Sequence, residues 1–457
     1  MGQVYNLGMD NRALANPYHT GDAAGLATAP FAGRQDAFGR IYGQISDPGR
    51  KQAILILGRR KIGKSALLYA AGSVFKETVV TVYIPLRDEP ITSEYDWLLS
   101  LAQTITEAVA ERGYTLSRLS QIEPPGNDIR LWFDDTFLPH ILAALRGTRD
   151  LLLLFDDADR LLVALKTATL PEDALDFLDT LLAKHPQLGV IFTMDTEYES
   201  DLSAFDALVP IKNVYRLSNL ELSETKWLMQ EPVRTLYTVP DEVVQAVQRS
   251  TGGMPAAIQR FGYEFYRRWY GAPDLNVITL EDAKTLGVTV YNAVRDDYRA
   301  IWDSLTANER LVLTATSGLY YDDPMGTIDA ASIERWLVGT DYPLDITAIN
   351  AALRSLEYRE LIVPSGAGVQ LSAELLRTWL LENARRLTRP TAVEAAPPEP
   401  RPLTVSPRLI RWLLIALLLL IIANVIAFAV VSNQPTIVVT GLPQPTVTLA
   451  QEVTPPP

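Results

Sequence analysis

The sequence predicts an α/β fold built on a parallel sheet, and several short apolar runs carry that prediction. Residues 53–57 (AILIL) contain no polar side chain, and residues 151–155 (LLLLF) are equally apolar. Residues 78–85 and 189–194 are two further runs that are mainly apolar, and residues 213–220 close the sheet region. Strands without a polar face are typical of a parallel sheet covered by helices on both sides. Apolar residues at helical spacing predict flanking helices at residues 35–45, 95–113 and 128–146.

The first of these strands runs directly into a glycine-rich loop. Residues 58–65 read GRRKIGKS, which is the G-x-x-x-x-G-K-[ST] pattern of a phosphate-binding loop, and residues 66–68 open an apolar helix. In that context the loop N–H groups and the positive end of the helix hold phosphate oxygens. We expect Lys64 to reach the β- and γ-phosphates and Ser65 to offer its hydroxyl to Mg²⁺. The predicted nucleotide-binding residues of the loop are Gly58, Arg59, Arg60, Lys61, Ile62, Gly63, Lys64, Ser65 and Ala66.

Two aspartates follow the apolar run at residues 151–155, about 90 residues after the loop. Ligands of open α/β sheets bind at the carboxyl ends of the strands, where these side chains are expected. We expect Asp156 to hold Mg²⁺ through water and Asp157 to orient or deprotonate the attacking water. Thr193, near the end of another predicted strand, is either a γ-phosphate sensor or an ordinary strand residue, and both readings stay open.

Composition limits the remaining possibilities. The chain has 457 residues, too many for one ordinary core, so two or three domains are expected. It has no cysteine, which excludes disulfides, zinc–thiolate sites and cysteine nucleophiles. Its three histidines are scattered without the spacing of metal ligands. The net charge of −13 argues against a general nucleic-acid-binding protein, which would carry a basic face.

The C-terminal half is predicted to be largely helical. Helices are expected from residue 222 to residue 270, with a sharp break at residues 251–255 (TGGMP). Residues 300–380 are consistent with a winged helix, because three predicted helices precede a β-hairpin at residues 362–371. This stretch carries five arginines against eleven acidic residues, a net charge of −6. A surface that contacts phosphates should be positive, so DNA binding is disfavoured.

A membrane span is predicted near the end of the chain. Residues 412–431 form a run of twenty whose one strongly polar member is Asn424, long enough for a hydrocarbon layer of about 30 Å. Arginines precede this run, at positions 385, 386, 389, 401, 408 and 411, and no lysine or arginine follows it. The positive-inside rule therefore predicts a single-pass protein of the cell membrane, with its bulk in the cytoplasm and its tail outside.

The order of these features resembles the STAND class of signal-transduction ATPases, relatives of AAA+ proteins that act as nucleotide-dependent switches. The loop at residues 58–65 is similar to the Arg-rich phosphate loop of a prokaryotic branch of that class. Residues 16–18 (NPY) and 31–34 (FAGR) resemble the lead-in that helps to cover the nucleotide base. Residues 253–255 (GMP) match a Gly-x-Pro motif whose proline packs near adenine in relatives.

The resemblance implies ATP or ADP with Mg²⁺ as ligands, and it adds Arg34 and Pro255 to the nucleotide-binding residues. The chain departs from the family pattern in three places. Gln35 stands where an acidic residue is common, the strand ending at Met194 lacks the sensor arginine of many relatives, and residues 300–380 contain no histidine for a latch on the β-phosphate. The alternatives for the missing positive charge are Arg59, Arg60 and Arg160.

We therefore expect a membrane-anchored ATPase with slow Mg²⁺-dependent hydrolysis, whose ATP or ADP state changes self-association or the binding of a protein partner. One alternative is a nucleotide-binding scaffold without useful hydrolysis, and another is a membrane-tethered DNA-binding regulator. The predicted domains are an irregular lead-in at 1–30, a P-loop NTPase core at 31–218, a helical lid at 219–299, a winged-helix-like domain at 300–387, a Pro-rich linker at 388–407, a transmembrane helix at 408–432 and a short Pro/Thr-rich tail at 433–457.

Overall fold

The structure, a computed structural model, describes residues 15–19, 29–47, 52–88, 90–114, 128–145, 150–324, 327–340 and 342–388. All of these belong to the first of two compact units, Met1–Arg389. Within those ranges no helix combines the length and the apolar character that a membrane crossing needs. The predicted transmembrane helix and the tail lie outside the described residues.

Five parallel strands form the central sheet. They are β1 (Ile54–Leu57), β2 (Val79–Pro85), β3 (Asp150–Asp156), β4 (Leu188–Met194) and β5 (Val214–Arg216), and they lie side by side in the order β2-β3-β4-β1-β5. Every neighbouring pair is parallel, so all five carboxyl ends meet at one edge. The prediction of a parallel sheet is therefore confirmed, with strand ends within one residue of those expected for β1 to β4.

Helices cover both faces of the sheet, which explains why the strands read as continuous apolar runs. In β1, Ile54 and Ile56 pack on one face, where α1 (Gln35–Ile45) and α2 (Lys64–Val74) lie. Leu55 and Leu57 pack on the other face. The helices of that second face are α3 (Glu94–Glu111), α4 (Ile129–Trp132), α5 (Leu138–Ala144), α6 (Asp159–Lys166) and α7 (Ala174–Lys184). A π-helical segment, Phe133–Phe137, joins α4 to α5, so the helix predicted at 128–146 is not one regular α-helix.

After β5, the described residues of the first unit form mainly α-helices and one hairpin. The helices are α8 (Leu222–Gln230), α9 (Asp241–Thr251), α10 (Pro255–Gly271), α11 (Leu280–Asp303), α12 (Ala307–Asp322), α13 (Ala330–Val338), α14 (Ile346–Tyr358) and α15 (Glu374–Thr388). The hairpin strands are β6 (Ile362–Ser365) and β7 (Gly368–Leu371). One hydrophobic core runs through all of these helices, and the predicted boundary at residue 300 falls inside α11.

Side-chain caps explain why α12 and α13 begin where they do. Thr306 accepts a hydrogen bond from the Glu309 N–H, and the Glu309 carboxylate accepts from the Thr306 N–H in return. Asp329 and Ser332 form the same reciprocal arrangement at the start of α13. Such capping boxes satisfy the backbone donors that a helix start leaves free. The three helices and the hairpin predicted for residues 300–380 are thus present, while their assignment as a winged-helix domain stays a prediction.

Candidate nucleotide-binding site

A cavity of about 940 Å³ lies at the carboxyl edge of the sheet. It is lined by residues that follow β1, β3 and β4, and by residues of the lead-in, α10, α11 and α14. Of the sequence-predicted site residues, those that line it are Arg34, Arg59, Arg60, Lys61, Ile62, Gly63, Lys64, Ser65, Ala66, Asp156, Asp157 and Pro255. Gly58 does not line the cavity, and its contribution is to the shape of the loop.

Two glycines give the loop its shape. A Cβ atom on Gly58 would lie 2.6 Å from Cγ2 of Ile62, closer than real Cβ atoms approach a neighbour. The Gly58 N–H donates to the Met194 carbonyl at 3.1 Å, which fixes the loop against the end of β4. Gly63 has φ +98° directly before α2, a conformation that side-chain-bearing residues rarely adopt. The chain therefore turns tightly at Gly63 before it enters α2.

Lys64 lies inside this loop rather than in solvent. Its side chain is only 8% exposed, and Nζ donates to the carbonyls of Gly58 at 2.6 Å and Arg59 at 3.2 Å. Nζ also lies 3.4 Å from Oδ2 of Asp195, the residue after β4. A buried ammonium group needs such partners, because an unpaired charge away from water is costly. The ammonium is thereby held at the centre of the loop, where a phosphate group would bind.

The two aspartates that end β3 have different surroundings. Asp156 is buried; its Oδ2 accepts a hydrogen bond from the Tyr83 hydroxyl at 2.7 Å, and its Oδ1 accepts one from the Thr193 hydroxyl. Asp157 has φ +57°, just beyond the strand, and its Oδ2 lies 3.0 Å from Nε of Arg87. Burial and the neighbouring Asp156 carboxylate raise the pKa of the Asp157 carboxyl, although Arg87 and Lys64 oppose that rise.

Thr193 of β4 forms hydrogen bonds with both of these aspartates. It is fully buried, its hydroxyl donates to Asp156, and it accepts from the Asp157 N–H at 3.1 Å. The Thr193 hydroxyl therefore contacts both aspartates at the end of β3. Asp195 is the polar residue at the end of β4 that lines the cavity.

Residues of the two motifs at 16–18 and 31–34 connect one wall of the cavity with the helices that follow the sheet. Arg34 is buried with φ +64°; its guanidinium donates to the Ile62 carbonyl at 3.2 Å, and its N–H donates to Oε1 of Glu224 at 3.2 Å. Burial lowers the pKa of Arg34, and Glu224 opposes that change. The buried Tyr18 hydroxyl donates to the Leu228 carbonyl at 3.1 Å. The wall carrying Arg34 is therefore tied to both the phosphate loop and α8.

Positive charge is abundant at the phosphate end. All three arginines left as alternatives line the cavity, and Arg59 is the most enclosed: its guanidinium donates to Oδ1 of Asn219 at 2.5 Å. Burial lowers the pKa of Arg59, while the Glu360 carboxylate opposes that change. Sequence reasoning missed four further cavity-lining arginines, Arg87, Arg216, Arg260 and Arg359. Arg87 could have been found, because it follows the carboxyl end of β2, where ligand-binding side chains collect.

Two oxygen-bearing side chains of the cavity, an alcohol and a carboxylate, fit the ligand preference of Mg²⁺. Ser65 lies in the first turn of α2 and Asp156 ends β3, and both line the same cavity. Mg²⁺ prefers oxygen ligands and is commonly held by one or two protein groups together with phosphate oxygens and waters. The residues present therefore fit this ion, with Ser65 and Asp156 as the groups that would hold it.

Comparison with known proteins bears on the fold. No protein-family model and no curated protein matches this chain. A Walker-type ATPase of Pyrococcus abyssi is similar in structure, with a TM-score of 0.50 at 16% identity over 77% of this chain and 96% of that one. Cdc6p of Pyrobaculum aerophilum has a TM-score of 0.38 at 14% identity over 81% of this chain and 99% of that one. The RuvB branch migration motor of Thermotoga maritima has a TM-score of 0.38 at 12% identity, over 75% and 92%. The likeness to the Pyrococcus protein, together with the sheet and loop described above, shows that this chain has the fold of a P-loop ATPase.

Proposed function

We propose that this chain is an ATP-binding, STAND-type ATPase that hydrolyses ATP slowly with Mg²⁺ and acts as a nucleotide-dependent switch at the membrane. The observation that carries the proposal is the position of the Lys64 ammonium, held by two backbone carbonyls inside the loop while both β3 aspartates line the same cavity. A polyphosphate is the ligand whose charge suits a loop that ends at a helix N-terminus.

Each residue of the phosphate end has a defined task. Lys64 exchanges its carbonyl partners for β- and γ-phosphate oxygens, and the loop N–H groups bind the remaining oxygens. Bound through Ser65 and Asp156, Mg²⁺ supplies charge neutralisation at the phosphates. Asp157 orients the attacking water and accepts its proton. The raised pKa of Asp157 suits it to proton transfer, because a general base works best when its pKa approaches the ambient pH.

The other end of the cavity suits an adenine base. Its lining includes Ala32, Leu220, Leu228 and Pro255, and Pro255 begins α10. Apolar side chains of this kind favour a flat aromatic ring over a hydrated group. Arg34 lies between this wall and the phosphate loop, through its bond to the Ile62 carbonyl. We assign Arg34 and Pro255 to the nucleotide on this basis.

The switch is supported by contacts between the phosphate loop and the C-terminal helices. Arg59 of the loop donates to the Asn219 side chain, and the Asn219 N–H donates to Oε2 of Glu360 at 2.7 Å. Glu360 follows α14, in the region predicted to be a winged helix. On α11, the carboxyl of Asp297 lies within electrostatic reach of Lys61, the third residue of the basic triplet Arg59-Arg60-Lys61. Asp297 on α11 and Glu360 just after α14 thus interact with the same basic triplet that nucleotide phosphates would contact.

Because phosphates bring several negative charges to the same triplet, their binding and loss change the forces on α11 and α14. Movement of these helices is the step that alters self-association or partner binding. Anchoring rests on the apolar run at 412–431, so we place the first unit in the cytoplasm and the tail outside. Retention of the chain in membranes washed with alkaline carbonate, and its release by detergent, tests this part of the proposal.

The central test uses the detergent-solubilised full chain. Nucleotide binding and ATP turnover with Mg²⁺ are measured for the wild type, Lys64→Ala and Asp157→Ala. The matched controls are Lys166→Ala and Asp201→Ala, whose side chains pair with each other at 2.8 Å away from the cavity lining. We expect Lys64→Ala to lose binding, and Asp157→Ala to keep binding and lose turnover. A wild type that binds no nucleotide would refute the proposal.

A nucleotide-binding scaffold without hydrolysis is the second candidate. It is favoured by the ion pair of Asp157 with Arg87, which occupies the carboxylate that would otherwise receive a proton. In a scaffold, Asp157→Ala would change neither binding nor the background rate of ATP loss. Turnover in the wild type that disappears in Asp157→Ala would exclude this candidate.

A further inference from the structure

Tyr83 carries the one polar group of β2 that reaches the phosphate end of the site. The strand alternates between buried residues and half-buried ones, and Tyr83 is half-buried and lines the cavity. Its hydroxyl donates to Oδ2 of Asp156 at 2.7 Å. We propose that Tyr83 is a positioning residue, which holds Asp156 in the orientation that Mg²⁺ requires and so sets how strongly the ion and the nucleotide assist each other's binding. This inference rests on the proposed function.

The geometry at Asp156 is what singles out this hydroxyl. Oδ2 accepts from Tyr83 on β2, and Oδ1 accepts from Thr193 on β4, so the two strands that flank β3 each hold one oxygen. A carboxylate that accepts a hydrogen bond at each oxygen has a fixed χ2 angle. Each oxygen still has a lone pair to spare, because a carboxylate accepts about four hydrogen bonds in total. Asp156 is therefore both fixed and free to accept a ligand on its open side.

Tyr83 is itself held in place by the helix that follows the phosphate loop. Its ring packs on Tyr69 of α2, with ring centroids 4.4 Å apart and planes inclined by 32°. Tyr69 lies four residues after Ser65, so the two side chains project from one face of the helix. The tyrosine pair thus connects α2, the helix that carries Ser65, with the strand whose Tyr83 hydroxyl donates to Asp156.

Groups that orient a metal ligand change metal affinity without touching the metal. Loss of such a partner typically weakens metal binding about 10- to 100-fold. A phenylalanine at position 83 would keep the ring and its packing on Tyr69, and would remove the hydroxyl that donates to Asp156 and also interacts with the Tyr69 hydroxyl. Tyr83→Phe is therefore the informative variant, and Tyr42→Phe is its control, because Tyr42 is exposed on α1 and does not line the cavity.

The experiment measures binding rather than turnover. A fluorescent ADP analogue is titrated into the full-length wild type, Tyr83→Phe and Tyr42→Phe, once with Mg²⁺ and once with EDTA. The dissociation constant in EDTA divided by the dissociation constant with Mg²⁺ measures how much Mg²⁺ assists nucleotide binding. We expect Tyr83→Phe to reduce this ratio about 10-fold, to leave the affinity in EDTA unchanged, and to keep the melting temperature of the wild type. Tyr42→Phe should behave as the wild type does.

Two results would overturn the role of Tyr83. One is a ratio in Tyr83→Phe equal to that of the wild type, and the other is an equal loss of affinity with Mg²⁺ and with EDTA, which would indicate a general structural contact. Thr193→Val provides a second variant, because it removes the donor to the other oxygen of Asp156 and should also lower the ratio. Absence of nucleotide binding by the wild type would overturn the proposed function, and the assignment of Tyr83 with it.

Discussion

Tyr358, at the end of α14, provides the sharpest test of how the C-terminal helices dock on the sheet. Its ring lies over Arg216 of β5, with the guanidinium carbon 3.8 Å from the ring centroid. Its hydroxyl donates to Oε1 of Glu199 at 2.6 Å, and Glu199 also pairs with Arg216. Replacing Tyr358 with alanine removes the ring and the hydroxyl together. The variant therefore weakens the contact without altering any residue of the phosphate loop.

The size of the effect follows from these two interactions. A guanidinium over an aromatic ring at an exposed site stabilises by about 0.5–1 kcal/mol. A hydrogen bond to a charged acceptor contributes about 1.5–3 kcal/mol when buried. Since Tyr358 is 54% exposed, the hydroxyl is taken at about 1 kcal/mol. Together they give about 1.5–2 kcal/mol, which is roughly a 10- to 30-fold change in the equilibrium for separating α14 from the sheet.

Hydrogen exchange at the Asn219 amide reports the separation of α14 from the sheet. The Asn219 N–H donates to Glu360, so it exchanges freely only when the region that follows α14 has moved away. We expect Tyr358→Ala to speed exchange of the peptide around Asn219 about 10- to 30-fold, and Tyr358→Phe to speed it about 5-fold. Tyr321→Ala is the matched control, because Tyr321 is 67% exposed on α12. Unchanged exchange in Tyr358→Ala, or an equal effect of Tyr321→Ala, would show that the Tyr358 contacts do not hold α14 against the sheet.

Two further predictions concern the loop and the charged cavity. Gly58→Ala places a Cβ atom 2.6 Å from Ile62, and overpacking of this kind costs about 1–3 kcal/mol. We therefore expect nucleotide affinity measured by titration to fall about 10-fold or more, whereas Gly43→Ala, with no atom within 4 Å of the new Cβ, should leave it unchanged. Burial raises the pKa of Asp159, so its ionised form destabilises the fold above that pKa and the cost disappears as the pH falls through it. Asp159→Asn should raise the melting temperature at neutral pH, with a gain that shrinks toward acidic pH, and a gain independent of pH would contradict this.

The sequence predicts the phosphate loop well because the signal is local. Strand, loop and helix follow one another within residues 53–68, and each needs only its own apolar pattern and two glycines. Asp156 and Asp157 are predicted by the same logic, since they end an apolar strand. The helix starts at Thr306 and Asp329 are also local, because each cap bonds within three residues. These features require no knowledge of which strands are neighbours.

What the sequence does not predict depends on neighbours far apart in the chain. Tyr83 and Thr193 become partners of Asp156 only because β2 and β4 flank β3, an order that no single segment encodes. The link from Arg59 through Asn219 to Glu360 joins residues separated by up to 301 positions. The helix α11 differs from these contacts, because its signal is local. Apolar residues recur there at every fourth position, a spacing typical of the buried face of a helix: Val290, Val294, Tyr298 and Trp302.

The cavity links the docking of α14 to the binding of nucleotide. Residues of the phosphate loop and residues that follow α14 line the same space, and Arg59 and Glu360 are joined through a single asparagine. If nucleotide favours either the docked or the separated arrangement of α14, then a change in docking must alter nucleotide affinity by the corresponding factor, because coupling between two equilibria is reciprocal. Tyr358→Ala should therefore change the dissociation constant of ADP or ATP, although Tyr358 is not one of the residues assigned to phosphate. The dissociation constants of ADP and ATP should change by different factors, because the γ-phosphate adds charge beside the basic triplet at positions 59–61. If both dissociation constants change by the same factor, the docking of α14 does not depend on the γ-phosphate. The switch would then depend on whether any nucleotide is bound.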